Sequence, residues 1–333
     1  MRTQRISTRV LLALTACASM TALAACGSDA KSPSAAASSA GVEQPDVNVA
    51  VFPSFNALNA HVALQDDLFK QEKLNAQLVT IATPAEAMPQ LLGGKIQFAL
   101  MGMSDPIVAR SKGVPLVMVA PAGLGTQPDG AMGVGNLWVR PDSKITSIKD
   151  IQNATFGIPQ IKSQIWVDVC SAVDAAGGDS SKIKFVEVPN TLAALKAGNV
   201  DVTVTAEPAG TVALADPGVK HLAAYTSAGG DLAYAFVTTK DFAKQNPGTV
   251  AAFRAAILKA NKATNASQEK RVAVAATYIK ADQAILEKAQ YPEFSENPIS
   301  PKSVQTAIDR FVKYGLLEKD KAPKPADLLD SGK

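Results

Sequence analysis

Gln90-Leu91-Leu92-Gly93-Gly94-Lys95-Ile96-Gln97-Phe98-Ala99-Leu100-Met101-Gly102-Met103-Ser104 lies without a gap over Ala194-Leu195-Lys196-Ala197-Gly198-Asn199-Val200-Asp201-Val202-Thr203-Val204-Thr205-Ala206-Glu207-Pro208. Leu91 meets Leu195, Gly94 meets Gly198, and Ile96, Phe98 and Leu100 meet Val200, Val202 and Val204. Each copy reads as the end of a helix, a glycine stop and a buried strand. Val51-Phe52-Pro53 similarly lies over Phe156-Gly157-Ile158-Pro159 with a shift of a residue or two. Any helix-glycine-strand unit has this look, so the repeat gains weight only from what surrounds it.

Working outward, strands alternate with helices. Val47 to Phe52 is an apolar strand, and Leu58, His61, Val62, Gln65, Leu68 and Phe69 follow at helical spacing. Thr83-Pro84-Ala85-Glu86 opens a helix that stops at Gly93-Gly94, and Ser104-Asp105-Pro106 opens one that stops at Gly113, each followed by a buried strand, Ile96 to Met101 and Leu116 to Ala120. A second series runs through Leu137 to Arg140, the capping box of Ser147 to Asp150, strand Thr155 to Ile158 and helix Ser163 to Ala176. The chain returns through Tyr234 to Thr238 and then turns helical, with starts at Asn246-Pro247, Gln268 and Ser300-Pro301. The expected architecture is α/β: two lobes with mostly parallel sheets flanked by helices, and a C-terminal helical segment. Lobe one takes residues 45–136 and 238–333, lobe two is inserted as 137–237, and the two crossovers serve as a hinge.

Upstream, Arg2, Arg5 and Arg9 form a positive region before the apolar run Val10 to Ala18, which is too short to span a membrane. This is read as a secretion signal, residues 1–25. Leu23-Ala24-Ala25-Cys26-Gly27 resembles a bacterial lipobox, which makes Cys26 the lipidated new N-terminus; ordinary signal cleavage nearby is the alternative. Residues 26–44, rich in Ser, Ala, Gly, Asp, Lys and Pro, are expected to form a flexible tether at the outer face of the cell membrane. Of the 33 Lys and Arg, three leave with the leader, so 30 basic residues balance the 30 acidic ones. That balance gives no footprint for nucleic acid. With two His and three Cys in the whole chain, a His- or Cys-rich metal site is not expected, and no cofactor is read; Cys170 has no disulfide partner once Cys17 is removed and Cys26 acylated.

In open α/β sheets, ligands sit beyond the carboxyl ends of strands and beside helix N-termini. That rule selects Ser54, Phe55 and Asn56 after the first strand, Ser104, Thr126, then Lys162, Ser163, Gln164 and Trp166 in lobe two, and Glu207 before Pro208. Ser104 and Ser163 read equally as helix caps, Trp166 as core beside Val169, Cys170 and Val173, and Glu207 as a solvated charge. His61 and His221 lack an adjacent nucleophile or carboxylate in any catalytic motif, and neither a nucleophile elbow nor a phosphate loop is present, so no catalytic residue is assigned.

Taken with the leader, the stretch Leu91 to Leu100, then Asp142-Ser143-Lys144-Ile145-Thr146-Ser147-Ile148-Lys149-Asp150-Ile151, Ala194 to Asp201 and Glu207-Pro208 resemble the solute-binding lipoproteins of nitrate, sulfonate and taurine ABC importers. The resemblance spans nearly all of the chain beyond the leader. It implies a type II periplasmic-binding fold, a small ligand closed between two lobes, delivery to a permease, a monomer and no catalysis. Oxyanions such as sulfonate, taurine or nitrate are the implied ligands, with a flat, thiamine-precursor-like heterocycle as the alternative. The same fold also serves ligand-sensing lipoproteins and a few enzymes. The loop Pro53 to Ala60 departs from the family pattern in its polar amides, which bears on the ligand and not on the fold.

Overall fold

A computed structural model describes residues 41–82, 84–125 and 132–330. The leader, Cys26, most of the expected tether, Thr83 and Thr126 lie outside the described residues. Two five-stranded sheets carry the fold. The first is built from β1 (Asp46–Val51), β2 (Asn75–Thr80), β3 (Phe98–Gly102), β4 (Leu116–Pro121) and, from much later in the chain, β10 (Tyr234–Thr239), in the order β2-β1-β3-β10-β4. The second is built from β5 (Gly135–Val139), β6 (Thr155–Ile158), β7 (Lys184–Glu187), β8 (Val202–Ala206) and β9 (Lys220–Ala224), in the order β7-β6-β8-β5-β9.

The two orders are the same plan. In each sheet a central strand (β1, β6) pairs in parallel with two neighbours, and a strand arriving from the other lobe (β10, β5) inserts antiparallel beside the third. The aligned residues Gln97 and Asp201 do the same work. Gln97 Oε1 accepts from the N–H of Asn48 in β1 at 2.8 Å, and Asp201 Oδ2 accepts from the N–H of Thr155 in β6 at 2.9 Å. Gly94 and Gly198 both sit at positive φ, 70° and 76°, where a side chain would be strained, and so end their helices alike.

β3 and β4 are buried along their whole length, which is why they read as apolar runs without alternation. Their side chains still alternate. Phe98 and Leu100 face one core with Phe253 of helix Pro247–Asn265, whose ring lies 3.9 Å from that of Phe98; Ala99 and Met101 face another core with Ile308 and Phe311 of helix Pro301–Lys313. The C-terminal helices therefore cover both faces of the first sheet.

The crossovers pair with each other. Leu124 and Leu232 form an antiparallel bridge, the Gly125 N–H donates to the Asp231 carbonyl at 2.6 Å, and the Gly123 carbonyl accepts from the N–H groups of Ala233 and Tyr234 at 3.0 and 3.1 Å. A Cβ on Gly125 would lie 1.9 Å from the Ser227 carbonyl oxygen, so the strands can approach this closely only with glycine there. Two expected boundaries move. β10 starts at Tyr234 and already belongs to the first sheet, and β5 starts at Gly135 in the second, so the chain passes between sheets before 135 and before 234, not at 136/137 and 237/238. The expected tether ends earlier too: the Glu43 carboxylate accepts from the N–H groups of Gly248 and Thr249 at 3.1 and 2.9 Å, and the Gln44 N–H donates to Thr249 Oγ1. Glu43 thus caps helix Pro247–Asn265, which has no cap of its own from Asn246.

Candidate ligand-binding site

The candidate site comprises the segments that follow β1, β3, β6 and β8 and the start of β10, and the lobes touch near it through Asp168 with Arg310 and through Trp166. After β1 the chain makes the short turn Phe55–Ala57 into helix Leu58–Gln65. Phe55 is buried, and its ring stacks on Tyr291 at 4.2 Å. Asn56 lies against Gly123, where a Cβ would come within 2.4 Å of its Oδ1. The Ser54 carbonyl accepts from the Tyr278 hydroxyl at 3.0 Å, while Ser54 Oγ is enclosed with no hydrogen-bond partner among the described residues. After β3, Ser104 is buried and opens helix Ser104–Ser111, but its hydroxyl is not the cap: the N-cap position is Met103. Asp105, one residue on, was not anticipated. Burial pushes its carboxyl up to about 6 against the pull of the Gly102 N–H, and its charge acts on Tyr234 across β10. Tyr234 lies 6.0 Å from the Phe52 ring.

Lobe two contributes helix Gln164–Ala175. Ser163 caps it, accepting from the Trp166 N–H at 3.3 Å and donating to the Gln160 carbonyl at 2.8 Å. Lys162, one of the residues selected from sequence, has an exposed side chain on left-handed backbone, φ 55°. Trp166 packs against apolar groups of both lobes, with Phe185 edge-on at 6.0 Å, and its indole N–H is enclosed without an acceptor among the described residues. Gln164 Nε2 donates to Asp168 Oδ1 at 2.9 Å, and Gln164 Oε1 is enclosed with no partner among the described residues. Asp168 faces Arg310 from helix Pro301–Lys313, Nη2 to Oδ1 2.6 Å, with side chains only 15% and 3% exposed. Oδ1 also accepts from the Ala228 N–H at 2.9 Å. Glu207 is not a solvated charge. It is buried at the end of β8, accepts from the Thr211 N–H at 3.2 Å and from Asn136 Nδ2 at 3.3 Å, and burial holds its carboxyl above the usual range against those bonds. Its charge reaches Tyr291, the ring stacked on Phe55.

Residues 54–271, more than half of the chain, match the family model described as NMT1/THI5 like. The chain belongs to the NMT1/THI5-like family. Over 164 residues it is 26% identical to the formylaminopyrimidine-binding protein of Halalkalibacterium halodurans, which covers 49% of this chain and 47% of that protein, about half of the relative's length. In structure it is similar to the periplasmic aliphatic sulphonate binding protein SsuA from Escherichia coli, with a TM-score of 0.69 at 19% identity over 86% of this chain and 92% of that one. It is similar also to the periplasmic nitrate-binding protein NrtA from Synechocystis PCC 6803, with a TM-score of 0.66 at 13% identity over 87% of each chain. At these identities the likeness establishes the two-lobed α/β periplasmic-binding fold, as the resemblance in the sequence implied. The ligand has to be argued from the site.

For an NMT1/THI5-like protein the notable feature of this site is its charge. Asp105 from lobe one and Glu207 from lobe two are both pushed toward the neutral form by burial, and Arg310 is committed to Asp168. Phe52, Trp166 and Tyr234 are half-buried aromatic side chains near these strand ends, whereas Phe55 and Tyr291 are packed on each other in the core. Carboxylate oxygens accept hydrogen bonds and repel a bare anion, and aromatic rings offer apolar faces. The two histidines and Cys170 lie in packed surroundings elsewhere. His61 stacks on Tyr278 at 3.7 Å and burial lowers its pKa to about 4; His221 meets Asn136 Oδ1 at 3.2 Å; Cys170 is buried and free, its thiol pushed up to about 12. Among the described residues no group of three or more His, Cys, Asp or Glu is placed to hold a metal ion.

Of the residues selected from sequence, Ser54, Phe55, Asn56, Ser104, Ser163, Gln164, Trp166 and Glu207 lie on these strand ends and helix starts. Asp105, Asp168, Tyr234, Tyr291 and Arg310 escaped the reading. Asp168 had left a trace: a carboxylate inside the apolar run Val167 to Cys170 needs a buried partner. Nothing in the sequence points from it to Arg310.

Proposed function

We propose that this protein captures a small, flat nitrogen heterocycle bearing N–H donors, such as an aminopyrimidine, between its two lobes and presents it to the permease of an ABC importer, without catalysis. The observation that carries this reading is the pairing of the half-buried rings of Phe52, Trp166 and Tyr234 with two carboxylates, half-buried Asp105 and buried Glu207, while Arg310 is neutralised by Asp168. A sulfonate or nitrate offers acceptors only and would meet those carboxylates unfavourably. The formylaminopyrimidine-binding relative supports the same ligand class. The crossovers at 123–125 and 231–234 would act as the hinge for lobe closure, a lipid on Cys26 would hold the protein at the outer face of the cell membrane, and one copy would suffice for binding.

A thermal-shift panel of formylaminopyrimidine, 4-aminopyrimidine, taurine, ethanesulfonate and nitrate tests it. A pyrimidine at about a hundred times its dissociation constant should add about 2.7 kcal/mol of stability, and the oxyanions should add none. A shift with an oxyanion and none with a pyrimidine would restore the oxyanion reading. Silence from the whole panel would overturn both.

A further inference from the structure

Gln164 holds its amide in a fixed sense. Asp168 Oδ1 takes three donors, Arg310 Nη2 at 2.6 Å, Gln164 Nε2 at 2.9 Å and the Ala228 N–H at 2.9 Å. A carboxylate oxygen gripped by a guanidinium and a backbone amide accepts and does not donate, so only the NH2 end of Gln164 can face it. The carbonyl end is then turned away from Asp168. Gln164 Oε1 is enclosed there, with no donor among the described residues. Leaving a buried carbonyl unpaired is unfavourable, and folded proteins rarely tolerate it without a purpose. Its place supplies one: Gln164 is the first residue of helix Gln164–Ala175, directly after the Ser163 cap, at the carboxyl end of β6 where lobe two meets lobe one.

We infer that Gln164 is a specificity-determining residue of the site, its Oε1 reserved as the acceptor for an N–H group of the bound heterocycle. The inference rests on the heterocycle reading given above and adds one demand to it: the ligand edge facing Gln164 must donate. An amino group or a protonated ring nitrogen satisfies this, whereas a keto oxygen at the same place would set two acceptors against each other. A site built around one hydrogen bond discriminates strongly against the analogue that cannot make it, because its own polar group is then left unpaired.

The test is calorimetric titration of the full chain with two probes of equal size, 4-aminopyrimidine and 4-methylpyrimidine, which has no N–H donor, in the wild type and in Gln164→Met, which keeps length and flexibility but removes the carbonyl. Gln164→Leu, with a thermal melt of each variant, guards against a fold defect. The wild type should prefer the amino probe by about tenfold or more, and the preference should fall to within about twofold in both variants. If the amino probe binds the wild type and the preference survives in folded variants, Gln164 does not set specificity and this inference fails while the heterocycle reading stands. If neither probe binds the wild type, the heterocycle reading fails and the inference fails with it.

Discussion

Replacing Arg310 by methionine breaks the buried ion pair that joins the two lobes while keeping most of the apolar stem in place. Asp168 would be left with the Gln164 amide and the Ala228 N–H as donors, in a site where its side chain is 3% exposed. Removing one partner of such a pair costs about 3 to 5 kcal/mol, because the remaining charge is buried without compensation. A second route gives a similar size and adds a pH dependence. Burial pushes the Asp168 carboxyl up, to about 6, even with Arg310 pulling it down, and without Arg310 it rises further. A folded pKa above the ordinary 3.8 means that the group's contribution to stability is complete below that value and is lost as pH rises through the folded pKa. In the variant that loss continues beyond pH 6, at about 1.4 kcal/mol per unit, so at pH 8 the two units of further range allow about 3 kcal/mol. At pH 5 the carboxyl is largely protonated in both proteins, and only the missing hydrogen bond remains, about 1 kcal/mol. Urea unfolding followed by the fluorescence of Trp138 and Trp166, the two tryptophans of the chain, would read this at pH 5, 6, 7 and 8. A cost that is flat with pH, or below about 1 kcal/mol at pH 8, would refute the ion pair as drawn.

Three further outcomes are expected. Asp105→Asn removes a carboxyl that burial holds at about 6, whose contribution is full below 3.8 and lost as pH rises through 6; relative to wild type the variant should therefore gain on the order of 2 to 3 kcal/mol between pH 3.5 and pH 8 in urea unfolding, and a parallel pair of pH profiles would show that Asp105 is not buried as described. Glu43→Gln weakens the cap on helix Pro247–Asn265. Burial raises the Glu43 carboxyl slightly, but the N–H groups of Thr249 and Gly248 and the Thr249 hydroxyl together hold it below its usual value, so the stability it adds is present above pH 4.5 and lost as pH falls through the folded pKa. A loss of about 0.5 to 1 kcal/mol at pH 7 that fades by pH 3 is expected, and an equal loss at both would contradict the charge argument. Gly125→Ala would drive a methyl group to 1.9 Å from the Ser227 carbonyl and force the paired crossovers apart, costing about 2 kcal/mol or more by thermal melt; an unchanged melting temperature would mean that the crossovers are not in contact there.

The lobe plan was legible because it rests on local signals. Helix stops at Gly94, Gly113 and Gly177, each at positive φ, and the caps at Ser163 and Ser300 are written within a few residues of the structure they set. Strands β2, β7 and β9 were not anticipated. They alternate or lie half exposed at sheet edges, with Asn75-Ala76-Gln77, Lys184-Phe185 and Lys220-His221 offering too little apolar signal to stand out. The lobe boundary slipped for a tertiary reason. Tyr234 to Thr238 reads as a strand, but nothing in it says that it slots between β3 and β4 of the other lobe. The same applies to the site: Arg310 reaches Asp168, and Tyr291 reaches Phe55, across separations that no periodicity records.

The internal repeat separates what the fold needs from what the ligand needs. Where the two copies hold the framework they agree in role, Gln97 with Asp201 tying down a central strand and Gly94 with Gly198 ending a helix. Where they approach the site they part. In the same gapless register Glu207 falls opposite Met103, and Asp105 falls opposite Ala209. Each lobe therefore supplies one carboxylate, but from a different step of the loop beyond its third strand: Asp105 beside Tyr234 and Glu207 beside Tyr291. A symmetric ligand held by equivalent groups would favour equivalent positions. A planar heterocycle with donors on particular edges favours staggered acceptors instead, so the break in the repeat argues for the same ligand class as the charges and the aromatic faces do.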